Sequence, residues 1–373
     1  MNHNKYFKQK NMVDYNILKA LIKDKAQELG FLELTVSSCT IDSAAQQKFQ
    51  DWLAQGYAGD MQYLENNQNL RFNPQELHPT SVRIISVKTP YLTQNITELK
   101  NRLRNKPEHA YISSYALGRD YHKVVKQQLN KLATWINQYL SEMGFEHHYR
   151  AFSDSAPIME VQIAAQSGSG WRGKNTLLLN KNHGSMFFLG ELFTNLPLEV
   201  DKPISSHCGS CNKCIEVCPT QAFISPYVLN AKKCISYLTI ENKGSIPLEL
   251  RSLMGNRIYG CDDCQLFCPW NKFSTLTTYT DFTPRHKLDS SSLLELFKWN
   301  IAEFTQKMQG SAILRIGYDS WQRNLAVALG NAPYQAEIIT ELEFKSRTSS
   351  TMVKEHITWA IAQQQNKRST SNS

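Results

Sequence analysis

Eight cysteines crowd between Cys208 and Cys268, and no other feature limits so sharply what this chain can fold into. The spacing Cys208-x2-Cys211-x2-Cys214-x3-Cys218-Pro219 is that of bacterial two-cluster iron–sulfur segments. In such a run three thiolates converge on one [4Fe–4S] cluster, and the fourth, ahead of the proline, crosses to a second. Cys261-x2-Cys264-x3-Cys268-Pro269 is the other half with one cysteine missing, and Cys234 stands upstream to supply it. Pseudo-symmetry then gives one cluster Cys208, Cys211, Cys214 and Cys268, and the other Cys218, Cys234, Cys261 and Cys264. Structural zinc is the plainer alternative, since C-x2-C pairs also make zinc knuckles, but zinc does not call for two Cys-Pro crossovers. Two adjacent clusters make an electron path and imply an oxidoreductase. The lone ninth cysteine, Cys39, reads as a small buried hydrophobe.

Reduced, metal-binding thiols fit a reducing compartment. The first twenty residues mix Lys, Asn, Gln and Asp with single apolar residues, unlike a secretory signal, so a cytoplasmic location is expected. No apolar run reaches membrane length. With 373 residues, 41% hydrophobic and 20% charged, the chain is a globular protein of two or three domains, and a monomer is expected. Its net charge of +8 would fall to roughly +4 with two clusters bound, which permits a nucleic-acid partner without requiring one.

Along residues 1–200, helical and strand patterns interleave, which predicts an α/β (α+β) domain. Residues 13–36 show helical spacing, with Ile17, Leu18, Leu21 and Ile22 on the buried stripe and Gly30 as a stop. Further helices are expected at 44–53 and 121–143, and strands at 81–87, 148–152, 176–179 and 186–189. Residues 201–284 carry the clustered cysteines and should draw folding free energy from metal. Residues 285–365 turn helical again. Leu325-Ala-Val-Ala-Leu329 and Ile357-Thr-Trp-Ala-Ile361 stand 32 residues apart, the pattern of a short helical repeat; Gln363 to Ser373 reads as polar and frayed, with 366–373 as a separate tail.

Three patches carry further chemistry. Asp154 lies in Ala151-Phe-Ser-Asp-Ser-Ala-Pro157, where a turn or cap role is the simple reading. The loop 167–174 is glycine-rich and ends in Trp171, Arg172 and Lys174, yet it matches neither the Walker A nor the dinucleotide pattern. Asp120, Tyr121 and His122 form a protonatable group at a helix start that suits a cofactor or substrate rim.

Taken together, these residues resemble the epoxyqueuosine reductase family, the cobalamin-dependent iron–sulfur enzymes of queuosine biosynthesis in tRNA. The resemblance rests on Gly59-Asp-Met61, Gly118-Arg-Asp-Tyr-His122, Asp154-Ser-Ala-Pro157, Gly170-Trp171, Gly173-Lys-Asn-Thr176 and Phe188-Leu-Gly-Glu191. It continues through Ser236-Tyr-Leu-Thr-Ile-Glu241, Tyr259-Gly-Cys-Asp262, Cys268-Pro-Trp-Asn271 and Arg315-Ile-Gly-Tyr318. The family's arginine after Glu160 is replaced here by Val161, and its Ala-Gly-Leu-Gly-Trp by Ser167-Gly-Ser-Gly-Trp171. The resemblance implies a cobalamin-binding domain over 1–200, a two-cluster ferredoxin-like domain over 201–284, and a HEAT-like, tRNA-binding helical module over 285–365. It implies reduction of the epoxide of epoxyqueuosine at the anticodon wobble position of tRNA, with electrons from an external donor such as a flavodoxin or ferredoxin. Asp154 is expected to be the proton source, its pKa raised by an apolar corrin. Tyr121, His122, Ser155, Gly170, Trp171, Arg172, Lys174 and Asn175 are expected at the cofactor. A cobalamin-dependent reductive dehalogenase is the alternative enzyme. A non-enzymatic iron–sulfur electron carrier or RNA-binding protein is the other reading.

Overall fold

The computed structural model describes residues 13–371, so the first twelve residues of the expected 1–200 domain and the last two of the tail lie outside the described residues. Helix α1 (Tyr15–Glu28) is capped by Asp14, whose side chain accepts from the backbone amides of Asn16 and Ile17. It closes in a left-handed turn at Gly30, where the Phe31 amide reaches back to the Ala26 carbonyl. Leu18 and Ile22 are buried as expected, but Ile17 is 58% exposed, and the residues after Gly30 are not helical. They form strand β1 (Glu33–Ser38), whose buried stretch pairs with β2 (Arg83–Pro90).

Between them lies α2 (Ser43–Ala54), and after β2 come α3 (Ile96–Asn105), β3 (Tyr111–Ile112), α4 (Tyr121–Ser141), β4 (Tyr149–Phe152) and α5 (Glu160–Gln166). The short pair β5 (Trp171–Arg172) and β6 (Leu178–Leu179) precedes β7 (Phe187–Thr194). The main sheet has the order β1-β2-β7-β4 with every neighbour antiparallel, so the mixed fold is of the α+β kind. Alternation along the strands serves two layers. Ile85, Val87 and Leu192 pack with Leu129, Leu132 and Ile136 of α4, whereas Ile84 and Phe193 pack with Phe152 and Ile163 on the opposite face. Gly190 of β7 lets α4 come close, since a Cβ there would meet Val125 and Leu129 at 2.8 and 3.0 Å. The strand expected at 176–179 shrinks to Leu178–Leu179 because Thr176 takes φ +71°, outside any strand geometry.

The cysteine segment holds short elements: α6 (Lys213–Glu216), β8 (Phe223–Ser225), β9 (Val228–Leu229), α7 (Ile235–Ile240), β10 (Arg257–Tyr259) and α8 (Asp263–Leu266). Beyond it, α9 (Leu293–Lys298), α10 (Ile301–Met308), α11 (Gly317–Asn331), α12 (Ala336–Ser346) and α13 (Thr351–Ser371) form a helical layer. The tail expected to fray from residue 363 is helical as far as Ser371, and Gln364 is fully buried, its amide donating to the carbonyls of Leu329 and Ala332. The boundaries expected at 200 and 284 are crossed by shared structure. Strand β10 pairs in parallel with β3, and one core joins Ile112, Ile258 and Tyr259 to Trp321, Leu325 and Ile357.

Candidate active site

Asp120 caps the start of α4, its carboxylate accepting from the His122 amide at 3.2 Å and facing His122 Nδ1 at 2.7 Å. The same imidazole presents Nε2 to the Asp154 carboxylate at 3.3 Å. Tyr121 donates its phenol to that carboxylate and stacks flat on Phe188, with ring centroids 4.3 Å apart at 2°. With a carboxylate on each ring nitrogen, both nitrogens act as donors, the arrangement of an imidazolium. Burial works against that charge, but the Asp120 and Asp154 contacts outweigh it and raise the His122 pKa to about 9.

Asp154 sits just after β4 with φ +55°, a left-handed conformation that aspartate tolerates better than most residues. Its amide donates to Glu160 Oε1 at 2.5 Å, which ties the turn to the first residue of α5. The raised pKa expected of Asp154 concerns a carboxyl facing bound corrin; in the protein alone the balance runs the other way. Burial pushes the value up, but the hydrogen bonds from His122 and Tyr121, with the charges of His122 and Arg315, hold the carboxyl below its usual range. The acid with the raised value is its neighbour Glu160, pushed up to about 7 by burial first and by the Asp154 charge second. Glu191, on β7 beneath α5, is raised well above the carboxylate range by burial and then by Glu160.

A cavity of about 420 Å³ opens beside Asp154. Tyr121, Phe187, Phe188 and Leu189 make an apolar wall, and Cys218, Cys234, Cys261 and Cys264 lie among its other lining residues. The cavity therefore runs from the carboxylate to four of the eight thiols. Thr176, strained at φ +71°, is another lining residue. Backbone strain of this sort concentrates at functional sites.

The thiols fall into two neighbourhoods. Burial and then Cys268, Cys208 and Cys211 push the Cys214 thiol up to about 11. Burial pushes Cys264 well above its usual value, followed by Cys234, Cys214, Asp263 and Cys218. The donor environment suits cluster sulfurs. Trp171 Nε1 donates to Cys208 Sγ at 3.4 Å and the Ala222 amide to Cys218 Sγ at 3.3 Å. Backbone amides of Ser236 and Tyr237 near Cys234, and of Trp270 and Asn271 near Cys268, work against burial and favour the thiolate at each. Such N–H···S bonds stabilise the thiolate form and tune cluster potential. Among the described residues, no three His, Cys, Asp or Glu side chains are grouped to hold a single metal ion. Cys39 lies apart, buried, its thiol pushed up to about 11 by burial.

The residues expected at the cofactor divide. Tyr121 and Asn175 line the cavity, His122 touches Asp154, and Ser155 is exposed in the turn beside it. Trp171 packs instead against His207 and Trp270, beside Cys208. Gly170 is required by close packing, because a Cβ there would strike the Leu179 carbonyl. Lys174 reaches Asn212 Oδ1 at 2.9 Å, on the cysteine segment, and Arg172 is exposed on β5.

Family models place the same two regions. One for a 4Fe-4S double cluster binding domain matches residues 207–271, and one for epoxyqueuosine reductase QueG (DUF1730) matches residues 71–155. The epoxyqueuosine reductase of Pseudomonas aeruginosa is 49% identical over 341 residues, 91% of this chain and 92% of its own. That of Escherichia coli K12 is 48% identical over 356 residues, 95% of this chain and 92% of its own. The chain belongs to the epoxyqueuosine reductase family. It is thus an oxidoreductase with a two-cluster [4Fe–4S] domain, and the carrier and dehalogenase alternatives fall away. A solved epoxyqueuosine reductase with a tRNA-Tyr epoxyqueuosine-modified stem loop matches at TM-score 0.84 and 27% identity, covering 94% of this chain and 91% of that one. The Bacillus subtilis enzyme, with its catalytic aspartate loop swung out of the active site, matches at the same TM-score of 0.84 and 27% identity. Among the described residues no helix is long and apolar enough to cross a membrane.

Sequence reasoning assigned no role to Glu160, Glu191 or Arg315. Glu191 had a signal, since it is the one charged residue in the apolar run of β7. Arg315, bonded to Glu241 at 2.7 Å, brings a charge from the C-terminal layer to Asp154.

Proposed function

We propose that this chain reduces the epoxide of epoxyqueuosine, at the wobble position of a tRNA anticodon, to the cyclopentene diol of queuosine. The observation that carries the reading is the cavity joining the Asp154 carboxylate to Cys218, Cys234, Cys261 and Cys264. The substrate class comes from the family and from the relative solved with a modified stem loop. Cys208, Cys211, Cys214 and Cys268 would hold one cluster, and Cys218, Cys234, Cys261 and Cys264 the other. The apolar wall of Tyr121, Phe187, Phe188 and Leu189 suits the flat face of a corrin, with Asn175 as a polar contact at its edge. Bound cobalamin supplies the strongly reducing metal centre for C–O cleavage, fed with single electrons through the clusters.

The protein's own groups do the proton work. His122 and Tyr121 fix the Asp154 carboxylate at the cavity mouth, and Asp154 passes protons to the oxygen as it leaves. Stacking of Tyr121 on Phe188 holds the phenol that donates to Asp154. The paired helices α11 and α13 form a HEAT-like module that, with basic residues, holds the anticodon stem-loop. An acceptor of single electrons needs a low-potential donor, such as a flavodoxin or ferredoxin, and a cytoplasmic monomer fits all these partners. The test is anaerobic analysis of the purified protein beside an assay on epoxyqueuosine-containing tRNA under strong reductant. About eight irons and eight sulfides per chain, bound corrinoid and corrinoid-dependent conversion are expected. Stoichiometric zinc, or conversion unaffected by corrinoid removal, would overturn it.

A further inference from the structure

Reduction of an epoxide to an alkene breaks both C–O bonds of one oxygen, takes up two electrons and two protons, and releases one water. Asp154 cannot supply both protons, and in this structure its carboxylate is an acceptor toward Tyr121 and His122. One proton is at hand on His122, held between Asp120 and Asp154. The second has a place beneath the Asp154 turn. Glu191 is 0% exposed, and neither of its carboxyl oxygens receives a hydrogen bond from a donor among the described residues. Its charged neighbours there are Glu160 and Asp154, all of one sign. Glu160 faces Glu191 on one side and accepts the Asp154 amide on the other. The groups around Glu160 are Asp154, Glu191, His122, Tyr121 and Arg71. Two carboxyls in contact in such a setting cannot both ionise, and they bond to each other when one keeps its hydrogen.

We propose that Glu160 and Glu191 form a carboxyl pair sharing one proton, which Glu160 delivers to Asp154, and that this proton and the one on His122 are the two taken up by the leaving oxygen. Both glutamates are raised by burial first, then Glu160 by the charge of Asp154 and Glu191 by that of Glu160, the direction expected of a pair that holds a proton. Glu160 lines the cavity next to Asp154 and Glu191 lies behind it; in this proposal both act through Asp154, as positioning residues. The destination of the proton rests on the reaction proposed above, whereas the existence of the shared proton does not.

The test uses the full chain loaded with clusters and corrinoid, with Glu191→Gln and Glu160→Gln as variants. Each glutamine keeps an amide in place of the carboxyl, and at residue 160 its oxygen still accepts the Asp154 amide. Infrared titration should show a protonated-carboxyl stretch in the wild type that is present at pH 7 and disappears on titration to higher pH, and that both variants lack. In single turnover with chemical reductant, the wild-type rate should fall across the same range. Glu191→Gln should run roughly tenfold slower at pH 7 with that pH step gone. A stretch that persists in both variants, or variants that keep the wild-type pH profile, would overturn the proposal. If the wild type binds corrinoid yet converts no tRNA, the reaction assignment fails instead, and the infrared arm still decides whether the pair holds a proton.

Discussion

Asp154 is held by four contacts of different kinds: a phenol, an imidazolium, a backbone amide anchored on Glu160, and the charge of Arg315. Replacing it with Asn nearly preserves shape but removes both the proton relay and the charge that His122 faces. Asp154→Asn should keep clusters and corrinoid while turnover falls roughly 100-fold or more. The His122 pKa, read by NMR, should drop from about 9 toward its ordinary value. The sign follows from linkage. A folded value raised above 6.5 gives stability that is complete below that pH and is lost as pH climbs through about 9, so the variant should lose less stability than wild type over that window. Unchanged turnover in a loaded variant would remove Asp154 from the chemistry. Asp154, Tyr121 and His122 were legible because they stand in short polar motifs. The pairing of Glu160 with Glu191 was not, because a contact between a helix start and a sheet strand 31 positions on leaves no local spacing to read.

At the scale of elements, local patterns placed α2 and α4 to within two residues, since caps and apolar stripes act over one turn. They carried α1 past its end at Glu28 and left α3 and α5 unseen. Strand extent was harder. Gly190 and Glu191 look like a break in β7, yet both lie inside the sheet because α4 needs the glycine and α5 covers the glutamate. The antiparallel pairing of the sheet depends on contacts across the whole domain. Helix α11 shows what such contacts do. Arg323, fully buried, donates to the carbonyls of Leu238, Asn242 and Gly244, around the C-terminal end of α7. Asn324 bonds the carbonyls of Thr239 and Ile258. Cys234 immediately precedes α7. Arg323→Met would leave these carbonyls without their donor and should cost about 3 kcal/mol of stability. Denaturant unfolding of the loaded protein measures this, and a loss below about 0.5 kcal/mol would show the carbonyls to be satisfied otherwise. Iron should also be released sooner on mild heating, because the same helix anchors a thiol.

For the whole molecule, the cysteine motif announced the two-cluster segment, but the sequence suggested three successive units where the structure interlocks them. The core around Trp321 and Leu325 includes Ile112 and Ile258, so removing everything after residue 284 would expose apolar surface rather than free a module. A role for the C-terminal layer in tRNA binding is therefore better tested on the intact chain. The net charge of +8 falls to roughly +4 with clusters bound, so attraction to RNA must come from local basic surface and not from overall charge. Each phosphate neutralised releases counterions, and affinity then falls with salt in proportion to the number of contacts. An anticodon stem-loop held through about three phosphates should lose roughly 20-fold in affinity between about 50 and 200 mM salt, with a log–log slope near −2. With the modified base read in the cavity and the backbone outside it, as proposed, unmodified and epoxyqueuosine-containing stem-loops should share that slope and differ by a constant offset. Fluorescence titration of the loaded protein across salt measures both quantities. A flat salt dependence would place the binding energy in the cavity alone and remove the C-terminal layer from RNA recognition.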